Sequence, residues 1–289
     1  MSGKLRELKN RIRSVENTKK ITRAMEMVAA AKLRRFQDLM VKTRPYTDGL
    51  ENLLKRLHQD LPEKSHPFFE EREEKRRAYV VFTSDTGLCG SYNNDLVSMA
   101  HRQIRENNDS NILIGVGKSG ITALKRTGRK FEAEFTDLRI SRVEEVLAEL
   151  KHKIETLFMS GEADAIYCVY SHFLTVTSYK PITEKLLPLQ KPEKHADDRQ
   201  NPVEYIFEPN PGVIFEKLIP VYFEAKTRLI FLESFVSEQI ARMTAMHQAT
   251  DNAREMIDSL VLERNKARQA SITKEIIEIV SGSQALKIK

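Results

Sequence analysis

The chain has 289 residues, 40% of them apolar and 30% charged, a formal net charge of +6 and two cysteines. That length allows one large or two ordinary domains with buried cores, and the composition excludes the disordered and fibrous classes. The opening MSGKLRELKN lacks a signal peptide's apolar core, no run approaches the roughly 20 apolar residues of a membrane span, and Cys89 and Cys168 match no CxxC or zinc spacing; a soluble intracellular protein without a disulfide framework or metal site is expected.

The charge is uneven. Residues 1–44 hold 13 Lys/Arg against 4 Asp/Glu, a balance of +9, whereas residues 213–289 hold 11 against 10. A basic arm therefore precedes a mildly acidic body, and such an arm seeks an anionic partner.

Between Gly3 and Arg44 there is neither glycine nor proline. Leu5, Leu8, Ile12 and Val15, then Thr18, Ile21, Met25 and Val28, fall at 3,4 spacing with one 3,3 slip in ENTKK, which reads as a coiled-coil seam carrying a stammer. Pro45 is expected to end or kink this helix before a second segment, YTDGLENLLKRLHQ. Residues 61–77, with Pro62, Pro67 and EEREEKRR, read as a linker.

The middle alternates strand and helix. Strands are expected at 78–83, 111–117, 130–135 and 163–173, with helices near 92–106, 119–127 and 141–159, the signature of an α/β layer with a largely parallel sheet. LPLQKPEKHADDRQNP (187–202) reads as an exposed loop and EYIFEP as a short strand after it. From Val221 to Ser281 no proline or glycine intervenes, so these 61 residues can form one helix roughly 90 Å long at about 1.5 Å per residue. Its seam runs through Leu229, Leu232, Val236, Met243, Met246, Thr250, Ala253, Ile257 and Leu260, is interrupted by ERNKARQ (263–269), and resumes at Ile272, Ile276 and Ile279. Two terminal seams can satisfy each other as an antiparallel intramolecular coiled coil; a homodimeric zipper or two unrelated amphipathic helices are the other arrangements. The expected fold is thus a long antiparallel coiled coil (1–60 with 211–289) plus a Rossmann-like α/β domain (61–210).

Three motifs could carry chemistry. GVGKSG places Gly115, Gly117 and Gly120 in a GxGxxG between strand and helix, either a dinucleotide loop or a turn that needs glycine. The following helix is short, the acidic candidates Glu134 and Asp137 come early, and Ile112 excludes a P-loop. In TSDTGLCGSYNNDL, Cys89 is either a thiol activated at a helix N-terminus or part of a tight turn capped by Asp85 or Ser91, and His101 is far along the helix. The basic first helix suggests DNA, yet its seam runs through the basic region and occupies the face that would read bases. No paired carboxylates, metal cluster or catalytic triad stands out.

The stretches IRSVENTKKITRAMEMVAAAKLRR, TSDTGLCGSYNNDL, EQIARMTAMHQATDNA and NKARQASITKEIIEIVSG occur in that order over nearly the whole chain. Together they closely resemble the gamma-subunit family of the bacterial F-type rotary ATP synthase. The resemblance implies a non-catalytic central rotor shaft, without cofactor or metal, present once per complex. Its partners would be the alpha and beta subunits, the epsilon subunit and the c-subunit ring, and not nucleic acid; its place would be peripheral, on the cytoplasmic face of the bacterial inner membrane. Proton flow would turn ring and shaft, and the shaft would drive ATP synthesis on the beta subunits.

Residue by residue, the resemblance implies that Met25 faces the beta subunits' acidic lever. It also implies that Arg242, Arg268, Gln269, Thr273, Glu278 and Val280 contact the stator or govern coupling to it. Lys32, Arg34 and Arg35 become a collar facing acidic stator loops, and Ala29–Ala31 either narrow the shaft or simply favour helix. Two departures stand out: the family's DRGLCGG appears here as DTGLCGS, with Thr86 and Ser91, and the tail ends SGSQALKIK rather than in Gly and Ala.

Overall fold

The runs AYVVF and ILIGV are apolar on consecutive residues, a pattern that requires cover on both faces of a strand. They become β1 (Arg77–Phe82) and β2 (Ile112–Val116), in a computed structural model that describes residues 2–60, 66–106, 111–190 and 208–287. With β3 (Ala133–Phe135), β4 (Ala165–Thr175) and β5 (Ser178–Leu187) they form a five-stranded sheet of order β3-β2-β1-β4-β5. β1 pairs in parallel with β2 and β4, β2 pairs in parallel with β3, and β4 pairs antiparallel with β5. The helices α2 (Tyr92–Glu106), α3 (Lys118–Lys125) and α4 (Val143–Met159) alternate with the parallel strands, so the layer is Rossmann-like.

β5 was not anticipated. Its sequence SYKPITEKLL carries Pro181 and three charges, which reads poorly as a strand but suits one at a sheet edge. β3 is shorter than expected because only Ala133–Phe135 finds partners, on Ile114–Val116. Residues 61–65 of the linker, residues 191–202 of the Pro-rich loop and most of EYIFEP lie outside the described residues.

The long helices are α1 (Ser2–Asp60) and α5 (Pro211–Lys287). Pro45 lies inside α1 and so does not end the helix, and Pro220 lies inside α5. A proline removes one N–H; at Pro45 this happens on an exposed face, while Met40, Thr47 and Leu50 are buried on either side and hold the helix through it. α5 starts where Asn210 caps it, the Val213 N–H donating to Asn210 Oδ1 at 3.0 Å, with Pro211 in the first-turn position that needs no N–H.

The chain divides into two compact units, Met1–Ala29 with Met243–Lys289, and Ala30–Arg242. In the first, Lys4 pairs with Glu263, Thr22 with Thr250 and Glu26 with His247. Partner numbers fall as α1 numbers rise, so the two helices run antiparallel. Within this unit the buried positions on α1 are Leu8, Ile12, Thr22 and Ala29, with Val15, Lys19 and Glu26 half-buried between them. That is an unbroken 4,3 repeat, and the expected stammer does not exist.

The seam keeps its geometry by accepting polar residues: Thr22 Oγ1 lies 2.8 Å from Thr250 Oγ1, and Glu26 Oε1 lies 3.2 Å from His247 Nδ1. Ile21 and Val28, expected in the seam, are exposed. On α5, Met246, Thr250 and Ala253 are buried as expected, whereas Ile272, Ile276 and Ile279 are exposed. Lys4 already pairs with Glu263, so no described residue of α1 lies opposite them.

In the second unit every residue of α5 from 229 to 242 is buried. A line of rings ties this segment to its neighbours: Phe36 of α1 to Phe235 at 4.9 Å, Phe235 to Phe231 at 4.8 Å, and Phe231 to Phe82 of β1 at 6.2 Å. Buried Glu233 accepts from Arg44 of α1 and meets His172 Nδ1 of β4, both at 2.6 Å. Glu233→Ala is expected to lower the stability of this unit by about 2 kcal/mol. That is below the loss usual for a broken buried pair, because Arg44 and His172 are more than a third exposed and rehydrate. Denaturant unfolding followed by a probe in the sheet measures it.

Candidate functional site

Sheets of this order bind nucleotides outside the carboxyl ends of the strands, where the chain reverses direction. Here that place is the end of β1, flanked by β2 and β4, and the loop of residues 83–91 leaves it. Thr83 turns first: its Oγ1 donates to the carbonyls of Val116 and Gly117 and accepts from the Gly120 N–H. Gly117 has φ 96°, and a Cβ built on it would lie 2.1 Å from the Thr83 carbonyl oxygen; one on Gly120 would lie 2.4 Å from Thr83 Cγ2. Gly117 and Gly120 therefore make room for Thr83, and Gly115 makes room for Ile121 and Phe131, which resolves the ambiguity of the GxGxxG in favour of packing and the turn.

The N–H groups at the start of α3 are likewise engaged within the chain. Lys118 N–H donates to Asp85 Oδ1, Ser119 N–H to the Ser84 carbonyl and Gly117 N–H to that of Phe135. Asp85 also accepts from Leu138 N–H. Asp85 or Ser91 was expected to cap the turn around Cys89; Asp85 caps α3 instead, because the loop folds back across the sheet ends. Ser91 donates its hydroxyl to Asp95 Oδ2.

Residues 231–242 of α5 fill the remaining space. Phe231 packs on Phe82, Tyr92 Oη lies 2.9 Å from Ser234 Oγ, and Ser237 Oγ donates to the Ser171 carbonyl. Arg242, only 8% exposed, donates Nη2 to the Thr86 carbonyl (2.9 Å), to Thr86 Oγ1 (3.1 Å) and to the Gly87 carbonyl (3.4 Å), and its Nη1 to Glu238. Burial pushes the Glu238 carboxyl up, against the pull of Arg242.

Cys89 is 2% exposed, beneath Ser84 and Asn93, and Asn93 Nδ2 lies 3.2 Å from its sulfur. Burial raises its thiol above the ordinary value, so it is a packed turn residue and not an activated nucleophile. Burial raises Cys168 likewise.

Another opening, of about 310 Å³, is lined by Arg44, Tyr170, His172, Glu184, Lys226 and Glu233 among others. The pairs Arg44–Glu233 and Lys226–Glu184 neutralise it, which makes it a joint between α1, the sheet and α5.

The residues singled out for contact do not form one cluster. In the coiled-coil unit Met25 is half-buried, whereas Arg268, Gln269, Thr273, Glu278 and Val280 are exposed. Since Thr22 faces Thr250, Met25 stands about 20 residues, or about 30 Å, from Arg268 along α5. In the other unit Lys32, Arg34 and Arg35 are exposed and Arg242 is buried. The polar contacts Thr22–Thr250, Glu233–Arg44 and Arg242–Thr86 were missed, because nothing local in sequence links residues so far apart.

A coiled coil of terminal helices, an α/β sheet between them in sequence and a nucleotide crevice filled by the chain's own helix describe a subunit built for contacts. Residues 4–286 match the family model described as ATP synthase. The gamma chain of Desulfitobacterium hafniense is 41% identical over 282 residues, covering 98% of this chain and 99% of that one; that of Heliobacterium modesticaldum is 40% identical over 287, with the same coverage. The Haemophilus influenzae gamma chain is 37% identical over 285. The chain belongs to the ATP synthase gamma chain family.

Among solved structures, a chain of the Euglena gracilis mitochondrial ATP synthase (OSCP/F1/c-ring) shares the fold with TM-score 0.69 at 19% identity, covering 99% of this chain and 95% of that one. One from the Tetrahymena thermophila central stalk and c-ring gives 0.61 at 24%, covering 79% and 99%. No helix among the described residues is long and apolar enough to cross a membrane.

Gly117→Ala is expected to destabilise the α/β unit by about 3 kcal/mol, since it adds both a strained positive φ and a clash with backbone. Loss of secondary structure on heating, compared with Gly128→Ala, where a Cβ meets nothing within 4 Å, reads it. Similar losses in the two variants would show that contact with Thr83 is unimportant.

Proposed function

We propose that this chain is the central rotor shaft of a proton-translocating ATP synthase, assembled once per complex with alpha, beta and epsilon subunits and the c-subunit ring. The observation that carries the reading is the end of α5. Ile272, Ile276, Ile277, Ile279 and Val280 are all about half exposed or more, Ile279 reaching 72%. At about 100° per residue these side chains make one broad apolar face covering nearly half of the helix surface, and no described residue of α1 lies opposite it. Such a face needs a partner to cover it, and a surrounding ring of subunits supplies one. The terminal helices (1–60 and 211–289) serve as the shaft, and 61–210 as the domain that meets epsilon and the c ring.

In this reading the chain carries no catalytic residue, and ATP is made on the beta subunits. Each angle of the shaft favours one beta conformation through differential contacts, which is a population shift. Met25, beside the Glu26–His247 pair, faces the acidic lever; Arg268, Gln269, Thr273, Glu278 and Val280 face the stator; Lys32, Arg34 and Arg35 form a basic collar. The complex holds the chain at the cytoplasmic face of the inner membrane as a peripheral component.

Co-expression with alpha and beta subunits is expected to yield a complex with one copy of this chain per three of each; a chain that purifies alone would count against the reading. Met25→Lys is expected to reduce proton pumping per ATP hydrolysed severalfold with assembly intact, because the added cation grips the acidic lever. Parallel loss of both activities together with subunit abundance would show a folding defect instead.

A further inference from the structure

Leu88 stands in loop 83–91 with φ 63° and is 61% exposed. A bulky residue seldom occupies the left-handed region, and an exposed one gains little burial to offset the strain. Another interaction has to hold the turn. From below, Ser84 N–H and Oγ and the Asn93 amide hold the start of the loop to α2. From the side, the buried Arg242 guanidinium takes the carbonyls of Thr86 and Gly87, the two residues before Leu88, and the Thr86 hydroxyl as well. Its other nitrogen is fixed by Glu238, one turn back on α5, so the fork is oriented before the loop reaches it. Charge-assisted bonds of this kind are the strong ones.

We propose that Arg242 and Thr86 are positioning residues that form a clasp between α5 and loop 83–91, holding Leu88 at the surface and keeping Cys89, the next residue of the loop, buried. In function the inference rests on the rotor reading: Arg242 governs coupling through the loop it holds and does not reach the stator itself. Thr86 suits the task, since an arginine there would set a second guanidinium beside Arg242, whereas the hydroxyl supplies an acceptor.

The two cysteines provide the test, because both are buried and only Cys89 belongs to the loop. Thiol labelling of the folded full chain is measured for wild type, Arg242→Lys and Thr86→Val, with Cys168 in β4 reporting global opening. The expected result is labelling of Cys89 faster by roughly tenfold in both variants, the factor for losing one charge-assisted bond, with Cys168 unchanged. Unchanged Cys89 rates in both variants, or equal acceleration of both cysteines, overturns the clasp.

In the assembled complex the two variants are expected to lower pumping per ATP hydrolysed together. A loss in Arg242→Lys alone would mean that the arginine acts directly on a partner, and would overturn its action through the loop. A wild-type chain that never supports pumping would remove the rotor reading while leaving the labelling result standing.

Discussion

Residues 229–242 of α5 are buried on every side, and the rest of the Ala30–Arg242 unit is arranged around that constraint. A helix with no solvent face gains by pairing the polar side chains it carries, and here Gln239 Oε1 is left without a partner among the described residues while others reach out to neighbouring elements. Glu233 reaches α1 and β4, Ser234 reaches α2, Ser237 reaches the β4 backbone, and Arg242 reaches the loop after β1. Each surrounding element thus receives at least one specific polar tie in addition to apolar packing. The ties fix the helix in rotation and height, which aliphatic contacts alone do poorly.

The same constraint removes the chemistry that the topology would otherwise permit. A Rossmann-like order leaves a crevice beside β1, and α5 fills it with Phe231, Ser234 and Arg242. Thr83 takes the space that Gly117 and Gly120 leave, and Asp85 occupies the N-terminus of α3. The fold has the nucleotide-binding architecture with its binding place turned into a core.

Elements governed by local pattern were legible in the sequence: residues 92–106 formed a helix over the expected span, and the apolar runs became the central strands. What depended on distant partners was not. The seam of α1 looked interrupted because hydrophobicity points to Ile21, Met25 and Val28; the helix buries Thr22 and Ala29, since a hydroxyl partner lies across at Thr250. Pro45 was expected to end or kink α1, yet the helix continues through it, because packing on both sides outweighs the roughly 3 kcal/mol of a helical proline. Arg242 could be given a role only through resemblance, since its acceptors lie more than 150 residues away. The exposed positions at the end of α5 were visible as sequence, but their lack of cover within the chain was not.

One helix therefore serves two environments, a solid core at 229–242 and an uncovered apolar end at 272–280. Hydrogen exchange on the chain alone and in the assembled complex tests this most directly. Amides of 229–242 should exchange only through global unfolding in both states, whereas those of 272–280 should exchange rapidly in the isolated chain and become strongly protected on assembly. Equal, unchanged protection at 272–280 in the two states, or fast exchange at 229–242, would contradict the account.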